Sequence, residues 1–408
     1  MDDDDSIGRR IKHQRKWAGL TQQALARKLG ISESLLRKIE AGSREANQPI
    51  VARTARVLGI DIADLTRQPY FRKGAQPDRV HQAMPVLRRA LAYWDFPPEL
   101  DGPPRPQAEV IADAFRLSKL RQLDRNIEVV EQLPAVMLQA AALFHEDHTG
   151  RERAALVDAI TAMLHAAHSV SYKLGYEDFS VVIEKQIQWL STQVNDPMLA
   201  AFSDWVRTNS LMRMGDYSTG LKILDRGRAG IDPMGRDNPE ALRMLGSLHL
   251  RSGIIAARAN KPDEARAHVA EAQRIAVHQP IDTDGDWRKL GFGPTNAGIH
   301  AVATAVESGD GPTALALNDQ VRVPAEWQRR LPTRVGHHYL DLSRAQFWQG
   351  HHEDALTSLE KARQVAPQQT RHHPTAHEVT RLLVRAHRRT NQPLVEFTTW
   401  LGGDGNGQ

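Results

Sequence analysis

The chain has 408 residues, 41% of them hydrophobic, a formal net charge of +4 at pH 7 and no cysteine. That length allows two or three domains with substantial cores, while the missing thiols exclude disulfides, thiolate nucleophiles and cysteine-based zinc sites and fit a reducing cytosol. The Met-Asp-Asp-Asp-Asp-Ser start has neither the basic end nor the apolar centre of a signal peptide, and no run of about 18 apolar residues is evident, so a cytoplasmic protein without a membrane span is expected.

Residues 1–5 are expected to be a disordered acidic lead, followed over residues 6–67 by short amphipathic segments. Ile7, Ile11 and Leu20 suit a first helix. Thr21 can cap a second whose buried face is Leu25, Ala26 and Leu29. Gly30 supplies a turn, and Ser32 can cap a third helix with Leu35 or Leu36 and Ile39 inward. Val51, Ala55, Leu58, Ile60 and Leu65 suit two more, which makes a bundle of five. Helices joined by so tight a turn meet steeply, the geometry that presents the second of them to a DNA major groove. Charge agrees: residues 6–75 carry a net charge of about +10, so the rest of the chain is acidic on balance, and basic charge concentrated on one small domain is the electrostatic footprint of nucleic-acid binding.

The run GRRIKHQRKWAGLTQQALARKLGISESLLRKIEAGSRE resembles the DNA-binding domain of the Xre/Cro/phage-repressor family, with the Gly-Leu-Thr-Gln opening, the Ala-x-x-Leu-Gly-Ile-Ser turn and the Ile-Glu-x-Gly close in register. The resemblance implies a lambda-repressor-like five-helix domain. It also implies that Gln22 bonds a phosphate, that Ser32, Glu33, Ser34, Arg37 and Lys38 face bases or the adjacent backbone, that Arg44 contacts phosphate, and that Arg15 and Glu40 form a structural ion pair. The loop between Gly42 and Pro49 is longer than the family pattern.

Residues 68–106 read as a linker. It comprises a polar hinge to Asp78, a helix over Pro85 to Tyr93, and a stretch from Phe96 to Pro106 with five prolines that acts as a semi-rigid elbow. Residues 107–402 are helical by period throughout, and 403–408 read as a disordered tail. Within the body, a turn residue followed five positions later by a small residue recurs at Gly175/Ser180, Gly215/Gly220, Asn260/Ala265, Gly309/Ala314 and Gly350/Ala355. These copies, spaced by about 40 to 49 residues against a 34-residue consensus, resemble divergent tetratricopeptide repeats. The expected fold class is therefore all-α, the five-helix head followed by an α-solenoid whose concave face is lined by the first helix of each pair. Regulators joining such a head to such repeats resemble peptide-responsive proteins, which implies ligand contacts from inward polar residues: Asn209, Arg213, Arg251, Arg258, Asn296 and His300.

Other chemistry is weaker. Pairs such as His165/His168 and His373/His377 have one-turn spacing but no HExxH-like carboxylate, and read as surface histidines at helix ends rather than metal ligands. No phosphate-cradling glycine loop occurs, and Trp189, Trp205, Trp327 and Trp348 read as packing residues. No catalytic residue, cofactor or metal is expected, and the chain is not expected to be an enzyme. The leading expectation is a homodimeric transcriptional regulator that binds a double-stranded operator and senses a peptide or small molecule through its repeats. The alternative is a repeat scaffold for a protein partner, tethered to DNA by its head.

Overall fold

The computed structural model describes residues 6–70, 79–97, 99–146, 149–234, 237–279, 290–386 and 391–402, and every regular element among them is a helix. The acidic lead 1–5, hinge residues 71–78, Pro98, His148 and the tail 403–408 lie outside the described residues.

The head is the five-helix bundle: α1 (Ile7–Trp17), α2 (Gln22–Leu29), α3 (Glu33–Glu40), α4 (Gln48–Leu58) and α5 (Ile62–Thr66). Thr21 and Ser32 cap α2 and α3 by accepting the amides of Ala24 and Leu35, each at 3.1 Å. Gly30 closes α2 in the left-handed conformation. Ile11, Leu25, Leu29, Leu36, Ile39 and Leu65 fill a core that belongs to the head alone, Leu36 rather than Leu35 being the fully buried one of that pair.

The linker expectation is only partly met. The helix begins earlier than expected, α6 (Arg79–Ala92), and Val80, Met84 and Leu87 join the body core, so α6 is a wall of the body rather than a free spacer. It packs on α8 (Asn126–Phe144). Helix α8 is long and apolar enough on average to cross a membrane, although Glu128, Glu131, Gln132 and Gln139 interrupt its apolar residues. Its Val129, Val130, Leu133 and Met137 are instead buried against α6, α7 (Gln107–Gln122) and α9 (Gly150–Leu174).

The repeat pairs follow as α9 with α10 (Glu177–Ser191), α11 (Pro197–Met214) with α12 (Tyr217–Ile231), α13 (Pro239–Arg258) with α14 (Pro262–Ala276), α15 (Pro294–Glu307) with α16 (Gly311–Asn318), and, after the short α17 (Ala325–Arg330), α18 (Pro332–Trp348) with α19 (His352–Val365). Each turn residue of the repeat, Gly175, Gly215, Asn260, Gly309 and Gly350, has positive φ, and each small partner five residues on is buried at the crossing of its pair. The chain ends with α20 (Pro367–His372), α21 (Pro374–Ala386) and α22 (Gln392–Gly402).

The solenoid closes on itself. Asp124, just after α7, accepts the backbone amides of Gln368 and Gln369 at 2.7 and 2.9 Å, and Gln368 accepts the amide of Ile127 at 3.0 Å. Thr333 donates its hydroxyl to the Gln122 carbonyl. The α7–α8 hairpin that precedes the first repeat thus meets α18 and α20 at the other end, and the concave face becomes the wall of a central channel.

Candidate DNA-binding face and central channel

Helix α3 exposes Glu33, Ser34, Arg37 and Lys38 on one side, while Leu36 and Ile39 anchor the other. Beneath it Arg15 and Glu40 form a buried bidentate pair at 2.6 and 2.8 Å. Gln22 donates its amide to the same carboxylate at 2.8 Å, so one of its N–H groups is engaged within the head and the rest of the amide remains for a phosphate. Arg44, which is exposed, has its guanidinium over the Trp348 ring of α18, 5.6 Å from the centroid.

That position of Arg44 follows from the long loop after Gly42, which binds the body. Glu45 is buried against Arg344 of α18 at 3.2 Å, and Arg385 donates to the Gly42 carbonyl at 3.0 Å. At the end of the head, Gln68 donates to the carbonyls of Lys173 and His372 and accepts from Arg213. Close approach fixes this seat, since a Cβ on Gly175 would come within 2.3 Å of the Gln68 side chain. The contact is mainly polar, whereas the head keeps its own apolar core, which is how separable domains meet.

Beneath the head lies a cavity of about 290 Å³, with Gln48 of α4 among its walls, at the lower end of small-molecule pocket volumes. Of the residues expected to reach a ligand, Asn209, Arg213, Arg251, Arg258 and His300 line it; Asn296 does not, and is buried with its amide oxygen unpartnered. Arg251 donates to Asn209 at 2.9 Å and stacks over Trp205, and Arg213 pairs with Glu177 over the Tyr172 ring. Sequence reasoning missed Arg121, Lys173, Arg334, Arg344, Glu307 and Asp341, which share the same walls. Position relative to the turns was the available signal: Lys173, Arg213, Arg258 and Glu307 each stand two residues before a repeat turn.

Seven basic side chains against two carboxylates line the cavity. Burial alone would raise the Glu307 carboxyl, yet Arg258 and Arg344, at 3.0 Å each, hold it down at about 2. Asp341 is the opposite case, pushed up to about 7 by burial despite Arg344. His165 and His168 are buried in α9, correcting the surface reading for that pair, and His168 meets Glu184 at 2.9 Å, whereas His145 and His351 are exposed. Burial lowers His165, His300 and His373 well below the ordinary imidazole value and His337 to about 3, so these rings are neutral and the positive charge is that of arginine and lysine. Among the described residues no group of three or more His, Cys, Asp or Glu is placed to hold a metal ion.

Residues 6–68 match the family model described as a helix-turn-helix domain. Over 58 residues, 14% of this chain and 84% of the relative, the sequence is 45% identical to the uncharacterized HTH-type transcriptional regulator YazB of Bacillus subtilis (strain 168). Among solved structures it is similar to the crystal structure of Bacillus thuringiensis PlcR in complex with the peptide PapR7 and DNA, at 14% identity over 66% of this chain and 94% of that one, with a TM-score of 0.29.

Proposed function

We propose, from the premise that this chain belongs to the helix-turn-helix transcriptional regulators, that its head reads a specific operator and that its repeat ring governs the head in response to a ligand held in the channel. One observation carries the reading. The head leaves the Ser32 to Lys38 side of α3 open to solvent, while on another side Gln48 lines the cavity and Glu45 and Gln68 bond the cavity residues Arg344 and Arg213. Anything bound in that cavity is therefore placed to act on the seat of the DNA-binding unit.

In this reading Arg37 and Lys38 meet bases or phosphates, Ser32 and Ser34 donate hydroxyls, Glu33 accepts from a cytosine amino group, and Gln22 bonds a phosphate with its remaining amide hydrogen. Arg44 lends positive charge beside that surface from its place over Trp348. Two copies on a two-fold site would give each half-site its own head. Closure of the ring also favours a sensor over a scaffold, because the concave surface that a partner helix would use faces a channel rather than solvent.

A gel shift and footprint on the DNA upstream of the gene test the proposal. Wild-type protein is expected to protect a discrete site with affinity that falls steeply as salt rises, and Arg37→Ala with Lys38→Ala to abolish protection while leaving the melting temperature unchanged. Undiminished protection by the double variant would remove α3 from the recognition role.

A further inference from the structure

We infer that the channel ligand is a compact oxyanion, a molecule bearing carboxylate or phosphate, and that Arg121, Lys173 and Arg251 are the cations that hold it. The inference rests on the sensor reading and names the ligand class for that site.

Six of the cavity's seven basic residues divide into two sets, Arg334 being the seventh. Arg213, Arg258 and Arg344 already have carboxylate partners in Glu177, Glu307 and Glu45. Arg121, Lys173 and Arg251 have no carboxylate within ion-pair distance among the described residues. Arg121 leaves its buried Nε without a hydrogen-bond partner, and Arg251 bonds only the neutral amide of Asn209. These three come from α7, α9 and α13, so their convergence on one space is a product of tertiary packing and not of any one helix.

Uncompensated cations in a closed space are unfavourable, and burial lowers Arg121 to about 10, Lys173 to about 8 and Arg251 to about 9, with Asp124 the main opposing charge on Lys173. A fold that used these side chains only for packing would do better with neutral ones of similar volume. An oxyanion entering the cavity supplies the missing partner, and the low dielectric that disfavours the empty cluster strengthens the charge-assisted bonds once it is filled. The neutral imidazoles of His165 and His300 border the same space and add hydrogen-bonding capacity without further charge.

The test is a thermal-shift and calorimetric titration of the full chain with inorganic phosphate, pyrophosphate and citrate at fixed ionic strength, with glucose and spermidine as neutral and cationic controls. At least one oxyanion is expected to raise the melting temperature saturably while the controls do not. Arg121→Met and, separately, Arg251→Gln are expected to weaken that binding by about tenfold or more, whereas Arg37→Ala with Lys38→Ala leaves it intact, which separates the channel from the DNA face. Ligand-free Arg121→Met is expected to melt no lower than wild type, since a cation without a partner is removed; a merely structural arginine would give a drop. Phosphate rather than citrate as the effective probe assigns a phosphorylated ligand, and the reverse a carboxylate.

No shift with any oxyanion, or a shift unaffected by Arg121→Met and Arg251→Gln, overturns the inference. So does a shift that disappears with the α3 double variant. The operator footprint uses no channel residue, so DNA binding that persists when every oxyanion fails would overturn the ligand class and leave the regulator reading standing.

Discussion

Asp341 shows how far one side chain depends on its surroundings. It lies one turn from His337 and one from Arg344 on α18, yet burial raises its carboxyl to about 7, while Glu307 in the same cavity is held at about 2. The difference is the number of guanidinium groups each one reaches: Glu307 has Arg258 and Arg344 at 3.0 Å, and Asp341 has Arg344 at 3.9 Å. Because its folded value lies above the unfolded one, Asp341 binds a proton in the folded state that the unfolded chain releases earlier. Its contribution is full below about pH 4 and is lost as pH rises to about 7. Glu307 is ionised throughout that window in the folded state, and its contribution is common to wild type and an Asp341 variant. Asp341→Asn cannot ionise, so it is expected to match wild type in melting temperature near pH 4 and to exceed it increasingly up to pH 7, with an upper limit on the order of 3 to 4 kcal/mol. A difference between the two proteins that stays constant from pH 4 to 8 would contradict the burial argument.

At the scale of elements, the helices that carry local periodicity were legible and the contacts between distant ones were not. Leu25, Ala26, Leu29 and Ile39 announce the head because their spacing is set within one or two turns, and Gly175, Gly215, Asn260, Gly309 and Gly350 announce the repeat because a left-handed residue is needed where each pair reverses. Ring closure left no such trace. Asp124 meets Gln368 and Gln369 across more than 240 residues, a pairing that no periodicity encodes. The buried His165 and His168, the channel cation Arg121 and the incorporation of α6 into the body were missed for the same reason, whereas Lys173 had a signal in its place two residues before the Gly175 turn. One close contact in the head was not read from the sequence: a Cβ on Gly8 of α1 would come within 1.9 Å of the Ile39 carbonyl oxygen of α3. That oxygen is backbone and cannot rotate away. Gly8→Ala should therefore push α1 from α3 and destabilise the head by about 1 to 3 kcal/mol, seen in urea unfolding and as weaker operator binding. Wild-type unfolding by this variant would mean that the two helices do not approach so closely.

For the whole molecule, the decisive feature is that Arg344 is shared. Its guanidinium bonds Glu45 from the head loop and Glu307 from the channel wall, and all three side chains are buried, so head seating and channel occupancy draw on one cation. Coupling of this kind is reciprocal: a ligand that alters the hold on Arg344 alters the seat of the head, and an operator that moves the head alters the channel. Glu45→Gln tests it, because the substitution removes the head's charge from the pair while Glu307 continues to balance Arg344 inside the ring. The ring is expected to stay folded. The head, held then by Gln68, by the Arg385 bond to Gly42 and by Arg44 on Trp348, should loosen, giving faster amide exchange across Gly42 to Gln48 and a larger maximum dimension in small-angle scattering. A double-mutant cycle with Arg344→Met should return a coupling of about 1 to 3 kcal/mol, as expected for contacting charges in one network. Additive effects, with exchange and scattering unchanged, would show that Glu45 and Arg344 merely touch, and Arg344 would then carry no coupling from the channel to the head.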